Sequence, residues 1–298
     1  MKSSSSARLQ LLFAAALFST GGAAIKASAL TGWQVASFRS GIAALVVALL
    51  VPAARRGWSR RTLVVAIAYA CTMVLFVVGN KLTTSANVIF LQSAAPLYIL
   101  TASPFLLKER VTRTDVAVMA AVAAGLALVL TGGVAASDTA PNPVLGNLLG
   151  ALSGVCWALT VIGLRWLSTG DEAATAPLAT VVQGNLFAFL ICLPMVFPMT
   201  AAGTLDIALL LYLGIFQIGL AYFCVVRGLS GVTAFEGSLL LLAEPALNPV
   251  WSWLVHGEEP SGRVMAGGLV ILAATAFRAW LGSRPGRAAY VAAEAMPD

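Results

Sequence analysis

Runs of about twenty apolar residues recur along the whole 298-residue chain, and no other feature restricts its fold so tightly. Wound as α-helix, such a run crosses a hydrocarbon core about 30 Å thick. Only 10% of the residues are charged, where a soluble domain has about 25%, and the mean hydropathy is +0.91. A water-soluble globular fold cannot cover this much apolar surface. The predicted spans are 8–28, 33–52, 62–80, 84–106, 115–133, 146–166, 177–197, 206–226, 232–255 and 264–281. The connections are too short to hold a separate soluble domain. The expected fold class is an all-α integral membrane protein with ten transmembrane helices.

The first thirty residues also resemble a secretory signal. Lys2 and Arg8 precede an apolar run, and Ala27-Ser28-Ala29 has the character of a cleavage site. Nine further spans, and a charge pattern that needs an even total, predict a retained first span instead. With the N-terminus cytoplasmic, the inner side receives Lys2, Arg8, Arg55, Arg56, Arg60, Arg61, Lys108, Arg110, Arg113, Arg165, Arg227, Arg278, Arg284 and Arg287. Lys26, Arg39, Lys81 and Arg263 are left to the outer side and the outer half of the bilayer. This bias obeys the positive-inside rule and places both termini in the cytoplasm of a cell inner (plasma) membrane protein. It explains the net charge of +6 without a nucleic-acid partner.

A duplication organises the spans. Residues 84–109 form an apolar stretch with Pro96 near its centre and Glu109 at its end, and residues 233–258 repeat this with Pro245 and Glu258. The copies lie 149 positions apart, and Thr84/Thr233, Ala94/Ala243, Ser103/Ser252 and Glu109/Glu258 match. The Gly/Pro-rich stretch 132–147, from Gly132-Gly133 to Pro143, reads as an outer linker. Five spans precede it and five follow, so the second half enters the membrane upside down. The expected units are 1–136, the first five-helix repeat, 137–282, the second and inverted repeat, and 283–298, a cytoplasmic tail. Inverted repeats with interrupted helices are the plan of secondary transporters, with binding near the midplane.

The chain resembles the EamA family of the drug/metabolite transporter superfamily. The resemblance rests on the five-plus-five layout, on Ala95-Pro96 with Lys108-Glu109-Arg110, and on Leu242-Ala243-Glu244-Pro245 with Gly257-Glu258. It departs where Leu107-Lys108 replaces a usual glycine and where Phe18-Ser19-Thr20-Gly21 replaces a common tryptophan-glycine pair. The resemblance implies export of small metabolites, with amino acids the leading class. The sequence does not fix the oligomeric state; a cavity within one chain is compatible with a working monomer.

Glu244 is the leading candidate for chemistry, because a carboxylate at mid-span costs about 2.5–3.5 kcal/mol to insert. It either takes a proton during antiport, meets a ligand ammonium group, or bonds a neighbouring helix. Pro245 and Pro249 follow, and with Pro96 they loosen their helices one turn back. Gly237, Glu244, Asn248 and Trp251 share one helical stripe expected to line the substrate path. Glu236 reads as a solvated helix-start carboxylate. Arg39 either snorkels outward or pairs with an acidic group or a substrate carboxylate. Gln183, followed by Asn185, occupies the matching position of the second half. Tyr69, Thr72, Phe76 and Asn80 form a stripe in span three; Asn87, Gln92, Ser93 and Tyr98 surround Pro96; Gln217 and Tyr222 lie in span eight and Trp157 in span six. The predicted substrate-binding set is Glu244, Asn248, Trp251, Gln92, Tyr98, Tyr69, Gln183, Gln217 and Trp157.

Missing motifs narrow the class. There is no phosphate loop for an ATP-driven pump, and the one histidine, His256, cannot support a multi-histidine metal site. No metal and no cofactor is expected. Cys71, Cys156, Cys192 and Cys224 all fall within spans and read as small buried hydrophobes. A membrane-embedded enzyme or a non-transporting membrane protein are the alternatives to a transporter, whose partners would be a small molecule, lipid and protons.

Overall fold

A computed structural model describes residues 4–106, 112–132, 136–168, 173–199 and 201–282. Lys2, Lys108, Glu109, Arg110, Arg284 and Arg287, the turn after Leu106 and the tail 283–298 lie outside the described residues, as does the side chain of Arg278. Among the described residues the regular structure is helical, apart from an isolated bridge between Ser137 and Ala140.

In the first half, α1 (Ser4–Ser19) and α2 (Gly21–Ala27) form one rod, followed by α3 (Gly32–Leu50), α4 (Arg60–Leu82), α5 (Ser85–Gln92), α6 (Ala95–Leu106) and α7 (Arg113–Thr131). In the second half, α8 (Pro143–Leu167) and α9 (Ala176–Cys192) precede α10 (Thr204–Tyr212). A π-helical stretch, Leu213–Leu220, joins α10 to α11 (Ala221–Leu229). Then come α12 (Ala234–Leu241), α13 (Ala243–His256) and α14 (Gly262–Gly282). Seven helical segments are long and apolar enough to cross a membrane by length and composition: Ser5–Ala27, Gly32–Leu50, Arg60–Leu82, Ser85–Ala102, Pro143–Leu167, Ala176–Val196 and Thr204–Leu229. The other expected spans correspond to α7, to α12 with α13, and to α14, of which Gly262–Ala274 is a shorter apolar helix.

Side chains start many of these helices, because the first turn leaves backbone N–H groups without partners. Thr31 accepts from the Gln34 N–H while the Gln34 side chain accepts from the Thr31 N–H, and Ser59 with Thr62 and Thr112 with Asp115 repeat this box. Asn142 caps α8, with Pro143 at its first position.

Large apolar side chains face outward as well as inward. Leu45, Leu49, Val64, Ile67, Leu190, Ile191 and Leu269 are exposed, whereas Arg39, Thr72, Gln183, Asn185, Gln217 and Asn248 are buried within a largely apolar interior. An apolar outer belt with polar groups kept inside suits lipid as the outer solvent. The cysteines depart from expectation: Cys192 is buried but Cys71 is exposed on the outer face, since a small thiol costs nothing against lipid.

The packing exchanges under a pseudo-twofold. α4 packs on α8 as α1 packs on α11; α5 and α6 pack on α8 as α12 and α13 pack on α1. The pairs α3–α9 and α7–α14 map onto themselves. Glycines set the α7–α14 approach: a Cβ at Gly125 would stand 2.7 Å from the Gly267 carbonyl oxygen, and one at Gly267 2.5 Å from that of Gly125. Close backbone approach through small residues drives helix association in membranes.

Candidate substrate site

The two proline-bearing spans break at equivalent points. α5 stops at Gln92 and α12 at Leu241, and the break residues Ser93 (φ −66°, ψ −5°) and Leu242 (φ −70°, ψ −3°) lie 149 positions apart with nearly the same conformation. Pro96 and Pro245 sit in the first turn of α6 and α13, where a missing N–H forfeits no helical bond. The spans predicted as continuous, 84–106 and 232–255, are therefore each two helices. Thr84 and Thr233 open both copies identically, accepting from the N–H groups of Asn87 and Glu236.

Two small cavities lie at these breaks, of about 30 and 20 Å³, sharing Gln92, Trp157 and Glu244 as a common wall. The larger is completed by Arg39, Gln217, Tyr222, Phe18, Thr72 and Phe76; the smaller reaches Ser93, Pro96, Ser238 and Pro245. Each has room for about one water molecule, so the site is too small for a metabolite in this conformation. Phe18, Tyr69, Trp157 and Tyr222 form an aromatic cluster from α1, α4, α8 and α11, with Tyr222 ring centroids 5.1, 4.5 and 5.9 Å from those of Phe18, Tyr69 and Trp157. Tyr222 meets Phe18 and Trp157 edge-on and Tyr69 at a tilt, so the four rings make a continuous aromatic wall.

Arg39 does not snorkel: its relative exposure is 0%. Its Nη1 donates to Gln217 Oε1 at 3.4 Å and its Nη2 to the Met73 carbonyl at 3.3 Å, both long, and its Nε has no partner. Gln217 lies in the π-helical stretch, a distortion frequent at functional sites. Glu244 is 8% exposed. Among the described residues the ion pairs are Arg8–Glu236 and Lys26–Glu258, so neither Arg39 nor Glu244 is matched by an opposite charge.

Of the predicted set, Glu244, Gln92, Gln217 and Trp157 line the cavities, together with Pro96 and Pro245. Tyr69 is buried behind Tyr222 and its hydroxyl accepts from Asn185 Nδ2 at 2.8 Å. Gln183 is buried in α9 without a partner for its amide, away from the cavity. Tyr98 lies on α6, and Asn248 and Pro249 lie on α13, beyond the cavity wall. Trp251 is 37% exposed and donates to Ser19 Oγ at 3.0 Å. The expected stripe is split, because the break at Leu242 separates Gly237 from Glu244. Glu236 is ion-paired with Arg8 at 2.8 Å rather than merely solvated. Met73 joins the site without having been singled out in sequence, since an apolar side chain inside an apolar run carries no signal, and Phe18, noted only as a departure from the family pattern, joins it too. Arg39 did carry one, as a lone guanidinium well inside a span.

The fold defines an all-helical, multi-pass membrane protein built on a duplication. The profile of the EamA-like transporter family matches residues 6–131 and 144–279, and the chain belongs to that family. A solved structure described only as "Crystal structure of protein" has a similar fold, with a TM-score of 0.67 at 22% identity over 93% of this chain and 97% of its own. No curated protein matches the chain.

Proposed function

We propose that this chain is a secondary transporter of zwitterionic small metabolites, amino acids foremost, working by alternating access. One observation carries this reading: Arg39 from the first half and Glu244 from the second line a single aromatic-walled cavity, and among the described residues neither forms an ion pair. A buried charge is costly until a partner meets it. A ligand with a carboxylate for Arg39, an ammonium for Glu244 and an apolar body for Trp157 and Tyr222 supplies both partners at once. Gln92 and Gln217 offer further hydrogen bonds.

In this reading ten helices form two inverted five-helix halves, 1–136 and 137–282, both termini are cytoplasmic, and the membrane is the cell inner membrane. The cavity is too small for an amino acid as it stands, so the halves rock about the breaks at Ser93 and Leu242 to admit one. The direction is export, and Glu244 exchanges its proton for the ligand ammonium group. The site lies within one chain, so a monomer suffices. The pseudo-twofold packing and the family's character support these points.

Counterflow in proteoliposomes tests the proposal. Vesicles loaded with unlabelled amino acids are expected to accumulate the labelled form with saturation; folded protein that exchanges none of them would refute the substrate class.

A further inference from the structure

A third cavity, of about 170 Å³, opens at the far end of α13 and is lined by Thr84, Ser137, Thr139, Ser252, Glu258 and Glu259. It is separated from the central cavity by the body of α13. Glu244, Asn248 and Ser252 recur every four residues on that helix and so share one face. Glu244 faces the central cavity and Ser252 faces this vestibule. Asn248 lies between them, 0% exposed, with neither amide atom hydrogen-bonded; the Ser252 hydroxyl, 1% exposed, also has no partner. Unpartnered buried polar groups are costly, and two of them in line with Glu244 call for a purpose beyond packing.

The neighbouring helices converge on the same line. A Cβ at Gly22 of α2 would stand 2.9 Å from Asn248 Oδ1 and 3.0 Å from the Ser85 Cβ of α5, and the Ser85 hydroxyl is also buried and unpartnered. Pro249 has no N–H, so the Pro245 carbonyl lacks its helical donor along this stretch. The result is a file of oxygen and amide groups through an apolar helix packing.

We propose that Ser252 and Asn248 form the inlet by which protons from the vestibule reach Glu244. The inference rests on the carrier reading above and deepens it by assigning the side and the route of coupling. One hydronium ion entering from the vestibule gives one proton to the Glu244 carboxylate, leaving water and a neutral carboxylic acid. Asn248 and Ser252 do not carry the proton themselves; they orient the water that does. The charged and titratable groups around this route are few. Arg39 and Tyr222 face Glu244 from α3 and α11, and α5 contributes none. Lys26 of α2 is held by Glu258 at 2.7 Å, and Glu259 and His256 stand at the vestibule end, with His256 Nε2 2.8 Å from the Ala23 carbonyl. On α1 and α12, Arg8 and Glu236 engage each other; on α14, Arg263 donates to the Thr131 carbonyl.

The test compares two modes of transport in proteoliposomes, using a labelled amino acid that the wild type exchanges. Counterflow needs no net proton movement, whereas accumulation driven by an imposed pH gradient does. In Ser252→Val, and more mildly in Ser252→Ala, gradient-driven accumulation is expected to fall, by about tenfold for the former, while counterflow stays within about twofold. Retained counterflow also reports that the variant is folded. If both modes fall together, or if neither falls in either variant, the inlet is refuted. Wild-type counterflow with no response to a pH gradient would overturn proton entry while leaving the carrier reading intact; no counterflow with any amino acid would remove both.

Discussion

Arg39 and Glu244 line one cavity from opposite halves of the chain, and among the described residues neither forms an ion pair, with the other or with a third group. The guanidinium leans on Gln217 and the Met73 carbonyl through long hydrogen bonds that a ligand carboxylate would outcompete. Arg39→Lys is expected to lower exchange by about tenfold or more, because an ammonium cannot reproduce the planar fork. Arg39→Gln is expected to abolish exchange while leaving the thermal midpoint in detergent unchanged or higher, since it removes a buried cation that lacks a counter-charge. A fall in midpoint with retained exchange would make Arg39 a structural residue.

Glu244→Gln keeps the shape of the side chain and removes its charge. The fold should survive, because no ion pair is broken among the described residues. Exchange is expected to lose its dependence on pH, and a pH gradient should no longer drive accumulation. Initial rates across a range of pH, with wild type and variant in the same lipid, make the comparison.

Lys26 and Glu258 form a buried ion pair at 2.7 Å, with side chains 4% and 6% exposed, and Glu258 also accepts from the Ser85 N–H at the start of α5. The pair ties α2, α5 and the end of α13 together. Removing one partner strands the other charge, so Glu258→Gln is expected to destabilise the protein by about 3–5 kcal/mol. Lys26→Met combined with Glu258→Gln should cost less than the sum of the single changes. A double-mutant cycle on unfolding midpoints in detergent reads the coupling, and strict additivity would contradict it.

The α7–α14 crossing depends on the absence of side chains at Gly125 and Gly267. Gly267→Val forces the two backbones apart and is expected to cost about 1–3 kcal/mol of stability. Gly262→Ala on the same helix, where a Cβ meets nothing within 4 Å, should be neutral. Thermal midpoints of the two variants test this contrast.

Much of this architecture is legible in local chemistry. Pro96 and Pro245, 149 residues apart, announce equivalent interruptions, and the breaks at Ser93 and Leu242 lie three residues before each proline. Glu244 stands out because a carboxylate in a span is expensive. What the sequence hides is tertiary. Nothing local tells that Lys26 meets Glu258, or that Trp251 turns away to Ser19 while Trp157 faces the cavity. The 3.6-residue periodicity predicts a single helical stripe from Gly237 to Trp251, but periodicity resets at a break, so Gly237 is cut off at Leu242 from the face that Glu244 and Asn248 share.

The central claim is that one cavity recognises both ends of a zwitterion. Its most direct test is inhibition of counterflow by three related unlabelled compounds: an amino acid, the amine lacking its carboxylate, and the acid lacking its ammonium group. The account predicts strong inhibition by the amino acid and weak inhibition by either truncated form, with the difference narrowed in Arg39→Lys and in Glu244→Gln. Equal inhibition by all three would show that the cavity reads the apolar body alone and would contradict the pairing of Arg39 with Glu244.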